Sequence, residues 1–398
     1  MIPSIYESAR AVIMQQLMSN DSFTVAEICK LTGLSTTSVA KYLSQMRSEG
    51  LLDIVSQEHT GHKGRRAVRY GTHPGAHFFL GVDIKPNCLG VGLMNLGGSM
   101  EDYTFFHDFH MENTHECMEM ICTKVQEFID TSDKHPIVSA ANFNIGGRVN
   151  SQAGTSASVF NFEETQDTPL AEVLSERLGF PVFIENDTKA MALGDYMAHC
   201  GEGWKNVLYV NIGWGLGLGI IINGKVYYGG NGYSGEMGHM HTYNNGVLCH
   251  CGKKGCMETE ISGQAIVRKL TERIQLGESS VLSQKVRRGE SITTEDIIYA
   301  LEKEDPLCIE LVSYTGTELG KQLAGIMNLL NPESIIIGGT LSKAASYYFL
   351  QYAALAVKQH SLKLISQHVP VLTSTLGDMA GITGACLLAR NRTMGSKL

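Results

Sequence analysis

Apolar residues in the first fifty positions recur at helical spacing. Ile5, Ala9, Val12, Ile13 and Leu17 predict a helix that ends near Ser19-Asn20-Asp21. Thr24 then opens Thr-Val-Ala-Glu, a capping box in which the Thr24 hydroxyl and the Glu27 carboxylate satisfy orphan backbone donors of a second helix running to about Thr32. Gly33 supplies a turn, and Ser35 caps a third helix whose Val39, Leu43 and Met46 face inward until Gly50 ends it. Helix, glycine turn and helix form a helix-turn-helix. The outward positions of the third helix are expected to be Thr36, Thr37, Ser38, Lys41, Tyr42 and Gln45, hydrogen-bonding groups suited to a major groove. Leu51 to Val55 and Ala67 to Tyr70 predict two strands around the basic, glycine-bearing tip His59 to Arg66, a wing whose Lys63, Arg65, Arg66 and Arg69 are placed to neutralise phosphate.

Beyond the short linker Thr72-His73-Pro74-Gly75 the pattern changes to that of a sheet. Phe78 to Ile84 is an apolar run ending in Asp83-Ile84, Leu89 to Met94 a second strand, Asn95 to Gly98 a turn, and a third strand continues through Phe105. Met118 to Ile129 is helical, Val138 to Ile145 returns to the sheet, and an α/β class follows. Val207 to Ile212, a glycine loop, Gly219 to Gly224 and Lys225 to Tyr227 repeat the order strand, turn, strand, which predicts two related lobes. The domains expected are a winged helix-turn-helix at 1–72, a first α/β lobe at 73–195 completed by a C-terminal helix at 380–398, and a second lobe at 196–379.

Composition sharpens this division. The 398 residues carry a formal charge of −8, yet residues 1–75 hold eight Lys/Arg against six Asp/Glu, a mildly basic head on an acidic body. An apolar fraction of 43% and a charged fraction of 18% suit well-packed lobes, and the first residues lack the uninterrupted apolar core of a signal peptide. The uncharged run Val207 to Gly224 contains asparagines and glycines and reads as buried strands, so a cytoplasmic protein without a membrane partner is expected.

Ten cysteines are too few for a disulfide scaffold in a chain of this length, but Cys249, Cys251 and Cys256 cluster around a glycine-containing loop. Three thiolates and an imidazole can complete a closed tetrahedral zinc site, with His239, His241 and His250 as the histidines in reach by sequence. Glu185-Asn186-Asp187 follows the strand Pro181 to Ile184, which puts Asn186 and Asp187 at a strand's carboxyl end, where α/β sheets bind ligands.

From Leu80 onward the chain resembles the ROK family of repressors, uncharacterised frames and sugar kinases. The resemblance rests on Gly235-Glu236-Met237-Gly238-His239 followed by Cys249-His250-Cys251-Gly252-Lys253-Lys254-Gly255-Cys256-Met257-Glu258. The helix-turn-helix places the chain beside that family's repressors of the xylose and N-acetylglucosamine type. The resemblance implies an actin-like, ribonuclease H-like two-lobed sugar-kinase fold, with His239 joining Cys249, Cys251 and Cys256 around a structural zinc. It implies that Asn161, Asn186, Asp187, Glu236, His239 and Glu258 bind a sugar, with Asn144 or Gly147 on the opposite wall, and that Asp187 would be the catalytic base if the chain were a kinase. The implied partners are operator DNA, a monosaccharide or sugar-phosphate effector, and further copies of the chain in a homodimer or homotetramer, with sugar closing the cleft between lobes.

Two glycine-rich turns must approach the ATP phosphates in the family's kinases. Here Asp83 is followed by Ile84-Lys85-Pro86-Asn87 where those kinases carry Asp-x-Gly-Gly-Thr, and Trp214 in Gly213-Trp214-Gly215-Leu216-Gly217 replaces a usual threonine. Proline lacks an amide donor, so ATP is not expected as a cofactor, although Ile335 to Thr340 resembles the adenosine-side turn. A sugar-responsive DNA-binding regulator is the first expectation, and a sugar kinase with an added DNA-binding head the second.

Overall fold

The computed structural model describes residues 5–19, 22–58, 67–160, 165, 167–344 and 346–395. The chain divides into two compact units, one of Met1–Ala190 with Gly381–Leu398 and one of Met191–Ala380. No helix among the described residues is long and apolar enough to cross a membrane.

The first unit begins with α1 (Ile5–Ser19), β1 (Phe23–Thr24), α2 (Val25–Thr32) and α3 (Thr36–Ser48). Thr24 and Glu27 form the expected reciprocal capping box on α2, Gly33 ends that helix at φ 71°, and the Ser35 hydroxyl accepts the Ser38 N–H to start α3. Each such cap stabilises its helix by about 1 kcal/mol. β2 (Leu52–Glu58) and β3 (Ala67–Thr72) form the antiparallel wing, whose tip falls outside the described residues. Sequence reading missed one element: β1 adds to β3, making a three-stranded sheet in the order β1-β3-β2.

Two expectations for the head need correction. Tyr42 does not face outward; it is 8% exposed and packs in one core with Ile13, Leu17, Ile28, Val39, Leu43 and Met46. Three residues after Val39 and four before Met46, it lies on the apolar stripe of α3. Arg69, expected to neutralise phosphate, is half-buried and engaged within the head. Its Nε donates to Ser22 Oγ at 3.0 Å, its Nη2 to the Ser22 carbonyl at 2.7 Å, and its Nη1 lies 3.4 Å from Glu27, so it ties β3 to the start of α2.

The rest of the first unit is a five-stranded sheet. β4 (Phe78–Lys85), β5 (Cys88–Asn95) and β6 (Met100–Phe106) run as an antiparallel meander. After α4 (His115–Thr131), β7 (Val138–Ile145) joins β4 in parallel. A short hairpin of β8 (Val149–Asn150) and β9 (Thr155–Ser156) and the helix Leu170–Leu178 lead to β10 (Val182–Asn186), parallel to β7. The inward faces of these strands bury Leu80, Val82, Leu93, Phe143 and Ile184 against Met118, Ile121 and Val125 of α4 and Leu174 of the following helix. The C-terminal helix Met379–Thr393 closes the unit: Ile382 and Cys386 lie against Gly81 and Gly92, which have no side chains to obstruct them, and Ala389 enters the core of the head with Phe79 and Leu96.

The second unit holds β11 (Val207–Ile212), β12 (Leu216–Ile222), β13 (Lys225–Val226), β14 (Ser334–Gly338) and β15 (Val371–Thr373). Its order, β13-β12-β11-β14-β15, matches the β6-β5-β4-β7-β10 order of the first sheet. In both, an antiparallel meander is followed by two parallel strands laid beside its first strand. The related halves that the repeated pattern predicted are thus one topology used twice. Helices Gly263–Gln275 and Pro306–Leu330 cover this second sheet, with Leu270, Leu319 and Leu323 in its core.

Candidate functional site

On the head, Thr36, Thr37, Lys41 and Gln45 are exposed on α3. Thr37, Lys41 and Gln45 are spaced by four and form one line down the helix. Ser38 is half-buried, its hydroxyl 3.0 Å from that of Ser35. Lys63, Arg65 and Arg66 lie outside the described residues.

In the first unit, β10 delivers Asn186 and Asp187 at its carboxyl end. Asn186 donates to the Gly147 carbonyl at 2.9 Å and to Asp187 Oδ1 at 3.1 Å, and accepts the Lys189 N–H at 3.1 Å, so its amide is fixed from three directions. Asp187 Oδ1 also accepts the Thr188 N–H at 2.7 Å. Burial pushes the Asp187 carboxyl up to about 6, against the pull of the Thr188 amide and with the help of the negative Asp83. Asn161 lies outside the described residues. Asn144, expected as a possible wall of the pocket, is fully buried instead. It donates to Asp83 Oδ1 at 3.0 Å and to the Gly381 carbonyl at 2.8 Å, and accepts from Asn142. Arg392 extends this network, meeting Glu185 at 2.6 Å and Asn142 at 3.1 Å. Sequence reading missed it because its members come from β4, β7, β10 and the last helix, with no local pattern in common.

In the second unit the signature glycines are set by backbone contact. Gly235 has φ 86°, and a Cβ there would stand 1.9 Å from the Leu218 carbonyl; Gly255 has φ 74°, and its Cβ would stand 2.0 Å from the Tyr243 carbonyl. Only glycine fits either place. The first lays Glu236 and His239 beside β12, with His239 Nε2 3.8 Å from Glu236 Oε2. Glu258 is buried. Its Oε2 accepts the Leu216 N–H of the glycine turn at 3.1 Å, and its Oε1 lies 3.0 Å from His250 Nδ1.

The ligand atoms of His239, Cys249, Cys251 and Cys256 all lie within 4.8 Å of one another, a group that could hold a metal ion. Cys251 Sγ and Cys256 Sγ are 3.5 Å apart, and Cys249 Sγ is 3.6 Å from His239 Nδ1. Sulfurs bound at about 2.3 Å to one tetrahedral ion stand about 3.8 Å apart, so the spacing suits such an ion with little movement. Burial and the neighbouring sulfurs push the Cys256 thiol up to about 12, so an entering cation must displace its proton. His239 faces this group with Nδ1. His250 forms a second, alternative cluster with His239 and Glu258, and His241 belongs to neither.

The two turns that bind phosphate in kinases have distinct fates. Lys85 pairs directly with Cys88, so Pro86-Asn87 is a two-residue hairpin with no glycine, and Asp83 is buried with Lys85 Nζ 3.6 Å from its Oδ2. The second turn is held from beneath: the Gly263 N–H donates to the Gly213 carbonyl at 2.8 Å and the Gln264 N–H to the Trp214 carbonyl at 3.1 Å.

A winged helix-turn-helix ahead of two sheets of one topology, the second carrying a three-cysteine, one-histidine cluster, defines the class. The chain belongs to the ROK family, which residues 81–392 match. A glucokinase of Halalkalibacterium halodurans is 34% identical over 232 residues, covering 57% of this chain and 69% of that one. The DNA-binding transcriptional repressor Mlc of Escherichia coli is 25% identical over 94% of this chain and 90% of its own, and the dual regulator NagC of the same organism 28% over 92% and 88%. Among solved structures, a ROK family transcriptional regulator homologous to Mlc superposes with a TM-score of 0.82 at 28% identity over 98% of both chains. A Streptomyces griseus ROK glucokinase bound to glucose and AMPPNP gives 0.67 at 27%, covering 79% of this chain and 99% of its own. The family thus includes sugar kinases, while these relatives that match along nearly the whole chain are regulators.

Proposed function

We propose that this protein is a sugar-responsive DNA-binding transcription regulator, a repressor of carbohydrate genes, whose kinase-like body senses sugar without phosphorylating it. The observation that carries this reading is the union, in one chain, of a capped recognition helix exposing Thr36, Thr37, Lys41 and Gln45 with a ROK body whose first phosphate turn has closed to Pro86-Asn87. A two-residue hairpin containing proline offers too few amide donors to cradle a phosphate. The full-length likeness to Mlc and NagC supports the same reading.

The sugar residues are Asn186, Asp187, Glu236, His239 and Glu258, with Asn161 completing the set. Lys63, Arg65 and Arg66 of the wing tip hold operator phosphates. His239, Cys249, Cys251 and Cys256 hold a structural zinc: all four positions are filled by protein, leaving none open for chemistry. An ion held by these four residues would fix the loop that carries Glu258 and His250. A homodimer places two α3 helices in successive major grooves, about 34–36 Å apart, and sugar acts by binding the DNA-competent and DNA-incompetent states unequally.

A gel shift on DNA upstream of the protein's own gene, titrated with monosaccharides and their phosphates, tests DNA binding, ligand and sign together. Retardation at low salt that a sugar relieves is expected; no retardation under any condition overturns the reading. The kinase reading is tested separately by Mg-ATP turnover over a sugar panel, where sustained product formation would displace the sensor-only view.

A further inference from the structure

A cavity of about 410 Å³ opens in the second unit beside the glycine turn, the metal loop and the helix Gly263–Gln275. This volume lies within the range of small-molecule sites. Trp214, Val247, Leu248, Glu258, Gln264 and Arg268 line it. Its most unusual member is Trp214, 44% exposed although its backbone is pinned by the Gly263 and Gln264 amides. A large ring is therefore left partly uncovered on a turn whose backbone is fixed.

The lining selects the ligand's chemistry. An aromatic face beside hydrogen-bonding groups matches a pyranose, which offers C–H groups on its faces and hydroxyls around its rim. A phosphate fits poorly. Arg268, the permanent cation of the lining, is already committed to Glu272 at 3.2 Å, to Glu260 at 3.8 Å and to the Thr259 carbonyl at 3.0 Å, and the imidazole of His250 is engaged by Glu258 at 3.0 Å. The carboxylate of Glu258 would also repel an anion. The Gln264 side chain is exposed at the rim and offers both donor and acceptor to a neutral hydroxyl. Glu258 belongs both to this lining and to the residues assigned above to the sugar, so the cavity borders that set at this residue.

We infer that the cavity is a second pyranose subsite, and that the effector is a neutral disaccharide or glycoside with one ring at Glu236, His239 and Glu258 and the next stacked on Trp214. This inference rests on the sugar-sensor reading and narrows it from a single ring to two.

The test uses the full-length protein and its two tryptophans, Trp204 and Trp214. Glucose, N-acetylglucosamine and xylose are titrated by calorimetry against cellobiose, maltose, chitobiose, xylobiose and the phenyl glycosides. At least one two-ring ligand should bind about tenfold tighter than its single-ring parent, the increment of one aromatic stacking contact. In a Trp204→Phe background it should also change Trp214 emission. Trp214→Ala should abolish the increment and leave the monosaccharide affinity unchanged, while Trp214→Phe keeps part of it; thermal melts of each variant confirm folding. If monosaccharides bind in a Glu236-dependent way and no two-ring ligand gains, or if Trp214→Ala keeps the gain, the subsite is wrong and the sensor reading stands. If no saccharide binds at all, both fall.

Discussion

His250 Nδ1 stands 3.0 Å from Glu258 Oε1, while the other oxygen of the same carboxylate accepts the Leu216 amide. One buried carboxylate thereby joins the metal loop to the glycine turn. Glu258→Ala leaves the Leu216 N–H without its acceptor and should lower stability by about 2 kcal/mol in urea unfolding. His250→Ala, at an exposed position, should leave that stability nearly unchanged; equal losses from both would mean that the pair, rather than the Leu216 amide, dominates.

Metal analysis of the purified protein should find about one zinc per chain. Cys251→Ser should lose it and lower Tm, whereas Cys117→Ser, distant in sequence and outside the cluster, should retain it. A wild-type protein free of zinc that melts at the same temperature after zinc is added would remove the structural role.

Asp187 gives stability a pH dependence of defined sign. Its carboxyl is raised from 3.8 to about 6 in the folded chain, so between those values the native state binds the extra proton and stability falls as pH rises. Asp187→Asn should therefore gain stability relative to the parent as pH climbs from 4 to 6, with the difference level above that. Sugar affinity should show the reverse trend, weakening below about 6 as the accepting carboxylate is protonated. Parallel unfolding curves for the two proteins at pH 4 and pH 7 would count against this.

On α3, three positions should separate. Lys41→Ala should weaken DNA binding at all sequences and reduce the salt slope by about 1, whereas Gln45→Ala should cost about 1–3 kcal/mol at its cognate base and relax specificity there. Tyr42→Ala should instead destabilise the head by about 3 kcal/mol, seen in thermal unfolding, with Tyr42→Phe largely tolerated. A Tyr42→Ala protein that melts normally but loses operator specificity would restore Tyr42 to the DNA face.

What could be read from sequence divides by the range of the interactions involved. The Thr24–Glu27 box, the Gly33 turn and the Ser35 cap are closed within four residues, and each stands where the pattern put it. The Cys249-Cys251-Cys256 spacing is similarly local, and the structure brings His239 to it. Tyr42 has the spacing of the apolar stripe, but its hydroxyl suggested an outward place, which its burial with Ile13, Leu17 and Ile28 overrides. Arg69 and Asn144 were misread for a different reason. Their partners, Ser22 and Glu27 in one case and Asp83 and Gly381 in the other, are 42 to 237 residues away. The Trp214 cavity was half legible: the ring was visible as a departure in a glycine turn, but the Val247-Leu248 wall comes from the metal loop.

The last helix of the first unit has a consequence for how the protein comes into being. Ribosomes complete the whole of Met191–Ala380 before Gly381 emerges, so the nascent head and first sheet must wait for Ile382, Cys386 and Ala389 to cover Gly81, Gly92 and Leu96. A chain that stops before that point leaves Phe79 and Leu96 without Ala389 and the strands at Gly81 and Gly92 without their covering helix, so apolar surface stays open to water until that last helix arrives.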